Sequence, residues 1–94
     1  MPMAFEWNDD KAKRNLNKLG VSFEEAITVF SDDLAETYFD PSHSKDEDRF
    51  ITIGYSQAAR LLIVSHTNRD ESVRIISTRE ADRREQKDYE DGKQ

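Results

Sequence analysis

The chain has 94 residues, no cysteine, 35% apolar and 36% charged side chains, and a formal net charge of −6. This length argues for one domain over residues 1–94. A domain of this size buries only about 60–65% of its unfolded surface, so a chain this polar gains from a partner or a dimer. No disulfide framework, thiol nucleophile or Cys-based zinc site is available. No apolar run nears membrane-spanning length and the N-terminus has no signal-peptide pattern, so a cytoplasmic location away from membranes is expected.

The charge is uneven. Residues 1–59 hold 6 basic and 12 acidic side chains, a balance of −6, and residues 60–94 hold 8 of each, a balance of 0. A broad nucleic-acid face is therefore excluded in favour of a small one. The acidic first half suits a basic partner.

Met3–Trp7 alternates loosely and reads as a first strand. Asn8 or Asp9 offers an N-cap for a helix from about Asp9 to Leu19, which Gly20 ends. Ser22 with Glu25 reads as a capping box for a second helix, whose apolar stripe is Phe23, Ala26, Ile27 and Phe30. Leu34–Asp40 reads as a strand stopped by Pro41. The loop 41–48 is polar, and its His43 lies among Asp40, Asp46, Glu47 and Asp48 without a recognised metal-ligand spacing.

Three strands follow, Arg49–Tyr55, Leu61–Asn68 and Ser72–Thr78, joined by links short enough for hairpins. Ser77 with Glu80 reads as the cap of a last helix from about Arg79 to Asp91. That helix carries only Ala81 and Tyr89 as apolar residues, so it is expected to be exposed, loosely docked or reserved for a partner. The order βααββββα predicts an α+β domain: a small antiparallel β-sheet with two N-terminal helices on one face and a C-terminal helix.

Four arginines in the fourteen residues Ser72–Glu85 stand out in an acidic chain. A guanidinium is a planar, permanently charged fork suited to phosphate, which makes RNA the sharpest candidate ligand; the alternative is ion pairing with the abundant carboxylates. Arg49, Arg69, Arg74 and Arg79 lie at strand ends or within strands, and Arg69 and Arg74 are expected to meet across a hairpin. Metal-free RNA cleavage needs a base, an acid and cations around the phosphate. His66, the only in-strand histidine, is the candidate for proton transfer, against a reading as a partly buried histidine bonded to backbone. Glu47 needs desolvation to act as a base. Tyr89 either stacks on a nucleobase or anchors the last helix.

Phe5-Glu6-Trp7, Lys11…Asn15-Leu16…Lys18…Gly20, Val21-Ser22-Phe23-Glu24-Glu25-Ala26, Asp46-Glu47-Asp48-Arg49-Phe50, Thr67…Arg69, Arg74-Ile75-Ile76-Ser77-Thr78-Arg79 and Ala81…Arg84-Glu85…Tyr89 stand in the order and spacing of one family. The chain closely resembles BrnT, the toxin half of BrnT/BrnA type II toxin–antitoxin pairs. The resemblance implies a RelE-like ribonuclease fold, RNA cleavage that blocks translation, and no cofactor or metal. It also implies a BrnA-like ribbon-helix-helix antitoxin, DNA contact only through that antitoxin, and a dimer of toxin–antitoxin heterodimers. By position, Arg49, Arg69, Arg74 and Arg79 would face the phosphate, and Lys18 and Glu47 also match family motifs; Lys18, Arg83 and Tyr89 are the candidates for substrate binding. The usual Lys-His-Gly of the family is Lys18-Leu19-Gly20 here, and the usual Ser-Ala-Arg is Ser77-Thr78-Arg79. The first change leaves a second reading open: a weakened or inactive member that serves to bind antitoxin and co-repress.

Overall fold

The computed structural model describes residues 4–93. Its elements run β1 (Ala4–Glu6), α1 (Asp9–Leu19), α2 (Phe23–Thr28), β2 (Glu36–Phe39), β3 (Arg49–Tyr55), β4 (Leu61–Arg69), β5 (Ser72–Glu80) and α3 (Arg83–Asp91). Single 3-10 turns follow α2 (Val29–Ser31) and β2 (Pro41–His43). The strands make one sheet in the order β1-β5-β4-β3-β2. β2, β3, β4 and β5 pair antiparallel, whereas β1 lies parallel to β5, with Phe5 opposite Val73 and Glu6 opposite Arg74. The sheet is thus mixed rather than antiparallel throughout. The chain leaves β1 into two helices instead of a hairpin, so nothing local forces β1 to reverse. Met3, the expected start of β1, lies outside the described residues.

α1 starts where Asn8 Oδ1 accepts from Lys11 N and ends at Gly20, whose φ of 72° is the left-handed turn that glycine takes at least cost. The apolar stripe of α2, with Val21 and Val29, packs on Leu62, Val64, Val73 and Ile75 to form the core. Ser22 caps α2 through Glu25 N, but the Glu25 carboxylate turns to Ser56 and Arg60, so the expected capping box is only half made. α1 is fixed by Asn15, which is buried. Its side chain donates to Val21 O and Thr78 O and accepts from Thr78 N. In this way Asn15 takes the place of a strand partner on the edge of β5 that β1 leaves uncovered.

Two expectations for the C-terminus change. β5 continues to Glu80, pairing it with Leu62, and α3 begins at Arg83, four residues later than the expected start at Arg79. The capping box is Asp82 with Glu85, an equally good match to the pattern. α3 is mostly exposed, as its composition implied, and is held to the sheet mainly through Tyr89. Tyr89 is buried, meets Tyr55 edge-on with ring centroids 6.1 Å apart, and donates its hydroxyl to Leu34 O at 2.8 Å. Lys93 lies 4.8 Å from the centre of the Tyr89 ring. No helix among the described residues is long and apolar enough to cross a membrane.

Candidate nucleic-acid interface

Side chains opposite one another in register share a face of the sheet. Across β3, β4, β5 and β1 the register aligns Arg49, Thr67, Arg74 and Glu6 in one row. This row lies on the face turned away from α1 and α2, since Phe50, His66 and Ile75 make the neighbouring row on the core side. The Cα atoms of Arg49 and Arg74 stand about 10 Å apart, two strand spacings. Arg74 Nη1 donates to Glu6 Oε2 at 2.9 Å. Arg49 has no carboxylate partner among the described residues.

Arg69 follows two residues after Thr67 on the same face. It holds Glu47 with both Nε (3.1 Å) and Nη2 (3.3 Å), and that carboxylate raises the guanidinium's already high pKa. Arg69 stands opposite Ser72, one step along from Arg74, so the two arginines share a neighbourhood that includes Glu6.

Arg79 reaches this face through an irregularity. Between Ser65 and His66 the β4–β5 register shifts, leaving Ile76 without a partner: Ser65 faces Ser77, and His66 faces Ile75. Such a bulge re-aims every side chain beyond it. Arg79 therefore sits opposite Ile63, in the row Glu36, Ile53, Ile63, Arg79. That row is about 13 Å from the Arg49–Arg74 row, four strand residues away. Arg79 forms a two-point pair with Glu85, both contacts 2.8 Å. The guanidinium beside it, helped by the Asp82 backbone, pulls the Glu85 carboxyl down to about 2.

His66, the expected proton-transfer group, is on the other side. It is only 2% exposed, and its ring packs between Phe30 (centroids 5.1 Å) and Phe50 (6.0 Å). Thr52 Oγ1 lies 2.8 Å from Nε2, and Asn68 Oδ1 lies 3.3 Å from Nδ1. Both ring nitrogens are thus satisfied by side chains, not backbone, and burial pushes the imidazole pKa below its ordinary value. A neutral, enclosed ring across the sheet from the arginines has no path to a phosphate they hold.

The remaining candidates scatter. Lys18 is exposed near the end of α1 and lines a shallow groove with Lys11, Arg14, Asn15, Leu19 and Ile76. Arg83 is exposed at the first position of α3. Tyr89 anchors α3 and offers no ring face for stacking.

One feature escaped the sequence. The loop after β2 packs back against the start of β3, and its groove of about 400 Å³ is lined by Ser42, His43, Lys45, Asp46, Glu47 and Arg49. His43 Nδ1 lies 2.9 Å from Asp40 Oδ2. The available signal was Asp40 three residues before His43, across Pro41 and Ser42, a separation a single turn closes.

The structure is thus an α+β domain whose guanidinium groups gather on the sheet face opposite α1 and α2, beside α3, an arrangement whose charge suits an anionic ligand. The sequence matches, over residues 7–85, the model of a family described as the ribonuclease toxin BrnT of type II toxin–antitoxin systems. The chain belongs to this BrnT family, as its motifs indicated, and the family is one whose toxins are paired with an antitoxin. A search of curated proteins finds no match. Among solved structures, the crystal structure of the Brucella abortus ribonuclease toxin BrnT aligns with a TM-score of 0.64 and 21% identity, covering 87% of this chain and 100% of that one. At that identity the likeness is one of fold.

Proposed function

We propose that this chain is an endoribonuclease toxin that cuts RNA without a metal ion and so inhibits translation. A ribbon-helix-helix antitoxin would neutralise it, in a dimer of toxin–antitoxin heterodimers that reaches DNA only through the antitoxin. The observation that carries this reading is the row Arg49–Thr67–Arg74, with Arg69 and Arg79 on the same face. These guanidinium groups supply the positive charge that a pentacoordinate phosphate needs, in the role a metal fills elsewhere. Arg49, which forms no ion pair among the described residues, is the natural first contact for a phosphodiester. Arg69, Arg74 and Arg79 exchange a carboxylate for the phosphate. With His66 enclosed on the far side, proton transfer falls to another group. A RelE-like ancestry fits the sheet and its helices. The acidic first half of the chain favours a basic, DNA-binding partner.

A second reading rests on Leu19. This residue occupies the position of the family histidine and is 49% exposed, so core packing does not account for it. On this reading the chain is a weakened toxin retained as an antitoxin-binding co-repressor.

Induction of the chain alone, beside Arg69→Ala and Arg79→Ala, separates the two. Growth arrest with RNA cuts in the wild type only is the expected result, unchanged by EDTA in a purified assay. Normal growth with intact RNA, the protein being soluble and folded, assigns the second reading.

A further inference from the structure

The groove beside Arg49 contains the parts that the arginine face lacks. His43 is one of two histidines in the chain, and its side chain is 64% exposed, whereas that of Asp40 is only 14% exposed. The loop bearing them is stapled rather than free. Asp40 N donates to Arg49 O (2.8 Å), Arg49 N donates to Ser44 Oγ (2.9 Å), and Ser44 Oγ donates to Asp40 O. The Asp40 carboxylate is aimed by Ser42 N, which donates to Oδ1 at 3.1 Å, leaving Oδ2 for the imidazole. A carboxylate only accepts, so His43 Nδ1 carries a proton, and in the neutral form of the ring Nε2 presents the lone pair. No protein group occupies Nε2 among the described hydrogen bonds. Around it stand two cations, Lys45 and Arg49, and two carboxylates, Asp46 and Glu47, of which Glu47 is held by Arg69. Arg49 belongs to both this groove and the row with Thr67 and Arg74, so the imidazole borders the phosphate-binding face.

We propose that His43 is the general base of RNA cleavage and that Asp40 is its positioning residue. This rests on the ribonuclease reading above. Nε2 takes the proton of a ribose 2′-hydroxyl, and the 2′-oxygen bonds to the adjacent phosphorus. The bond from phosphorus to the 5′-oxygen breaks, that oxygen takes a proton from water, and the hydroxide left behind is neutralised by the proton that His43 releases. The products are a 2′,3′-cyclic phosphate and a 5′-hydroxyl. Arg49 and Lys45 offset the charge gathering on the phosphoryl oxygens, and Asp40 stabilises the imidazolium as it forms.

The test is cleavage of a labelled RNA oligonucleotide by the purified full chain across pH, with His43→Ala, His43→Gln, Asp40→Asn and Arg49→Ala. His43→Ala is expected to lower kcat about 10²- to 10⁴-fold with little change in KM. It also loses the acidic limb of the pH profile and regains activity with added imidazole. Asp40→Asn keeps a reduced rate with a displaced acidic limb. The melting temperature of each variant stays near that of the wild type. RNA with sulfur in place of the 5′-leaving oxygen separates base from acid: His43→Ala stays slow on it, and full recovery there would overturn the assignment as base. Wild-type rates for His43→Ala beside an inactive Arg49→Ala would overturn the His43 proposal and leave the ribonuclease reading standing. RNA left intact by the wild type removes both.

Discussion

Arg74 and Arg79 are five residues apart on one strand yet stand on the same face of the sheet. In a regular strand an odd separation places side chains on opposite faces. The unpaired Ile76 supplies the extra residue, and so the bulge decides whether Arg79 joins Arg49 and Arg74 or faces the core. Arg79→Ala is expected to reduce RNA cleavage about 10²-fold or more, the scale seen when one preorganised charge donor is removed. Its stability cost stays within about 1 kcal/mol, since the partner pair with Glu85 is largely solvated. Urea denaturation and a cleavage assay on the same preparation check both halves. A fully active variant would exclude Arg79 from the site.

Local chemistry and the β3–β4–β5 hairpins were legible in the sequence, whereas the parallel pairing of β1 and the bulge in β5 were not. Asn8 and Gly20 bound α1 because capping depends on a few adjacent atoms. Asp82 and Glu85 were missed because Ser77 and Glu80 fit the same motif, and only the pairing of Glu80 with Leu62 extends the strand past it. The same holds for the site. The arginines were visible as a cluster, but their face depends on one bulged residue. His66 looked available because strand alternation gives two faces without naming the buried one. His43 matched no ligand spacing, and its contact with Asp40 depends on the hydrogen bonds that shape the loop.

Asn15 is the polar residue on which the attachment of α1 depends. Its amide makes three buried hydrogen bonds, two of them to Thr78 on the open edge of β5. Asn15→Ala leaves Thr78 N and O without partners where water has little access. The expected loss is about 2–4 kcal/mol, from the usual cost of unsatisfied buried groups. Chemical denaturation measures it, and a change below about 1 kcal/mol would contradict the role assigned to this side chain.

His66 gives the fold a pH dependence. Thr37 Oγ1 and Thr52 Oγ1 are hydrogen-bonded at 2.8 Å, and Thr52 reaches His66 Nε2 inside the core, where the charged ring loses its hydration. Burial lowers the folded pKa below the ordinary 6.5, so the unfolded chain binds the proton more readily. Stability is therefore complete above about 6.5 and declines as pH falls below it. His66→Gln should flatten this decline while leaving cleavage within about tenfold of wild type. A loss of turnover in a folded His66→Gln protein would return His66 to the catalytic set.

Glu85 joins the site to α3. Its carboxylate grips Arg79 at two points and also accepts from Asp82 N to close the capping box. Its carboxyl titrates near 2, below the ordinary 4.5, so the stability it adds is present above about 4.5 and fades as pH falls towards 2. Glu85→Gln can still accept at the cap but loses the charge facing Arg79. At neutral pH the variant should lose about 0.5–1 kcal/mol, and its stability curve should be flatter between pH 4.5 and 2. Its affinity for RNA should rise, because the phosphate no longer competes with a carboxylate for the Arg79 guanidinium. The measurement is KM on one oligonucleotide for wild type, Glu85→Gln and Arg79→Ala. A KM for Glu85→Gln that equals or exceeds the wild-type value would mean that Arg79 serves α3 alone and never releases Glu85 to meet substrate.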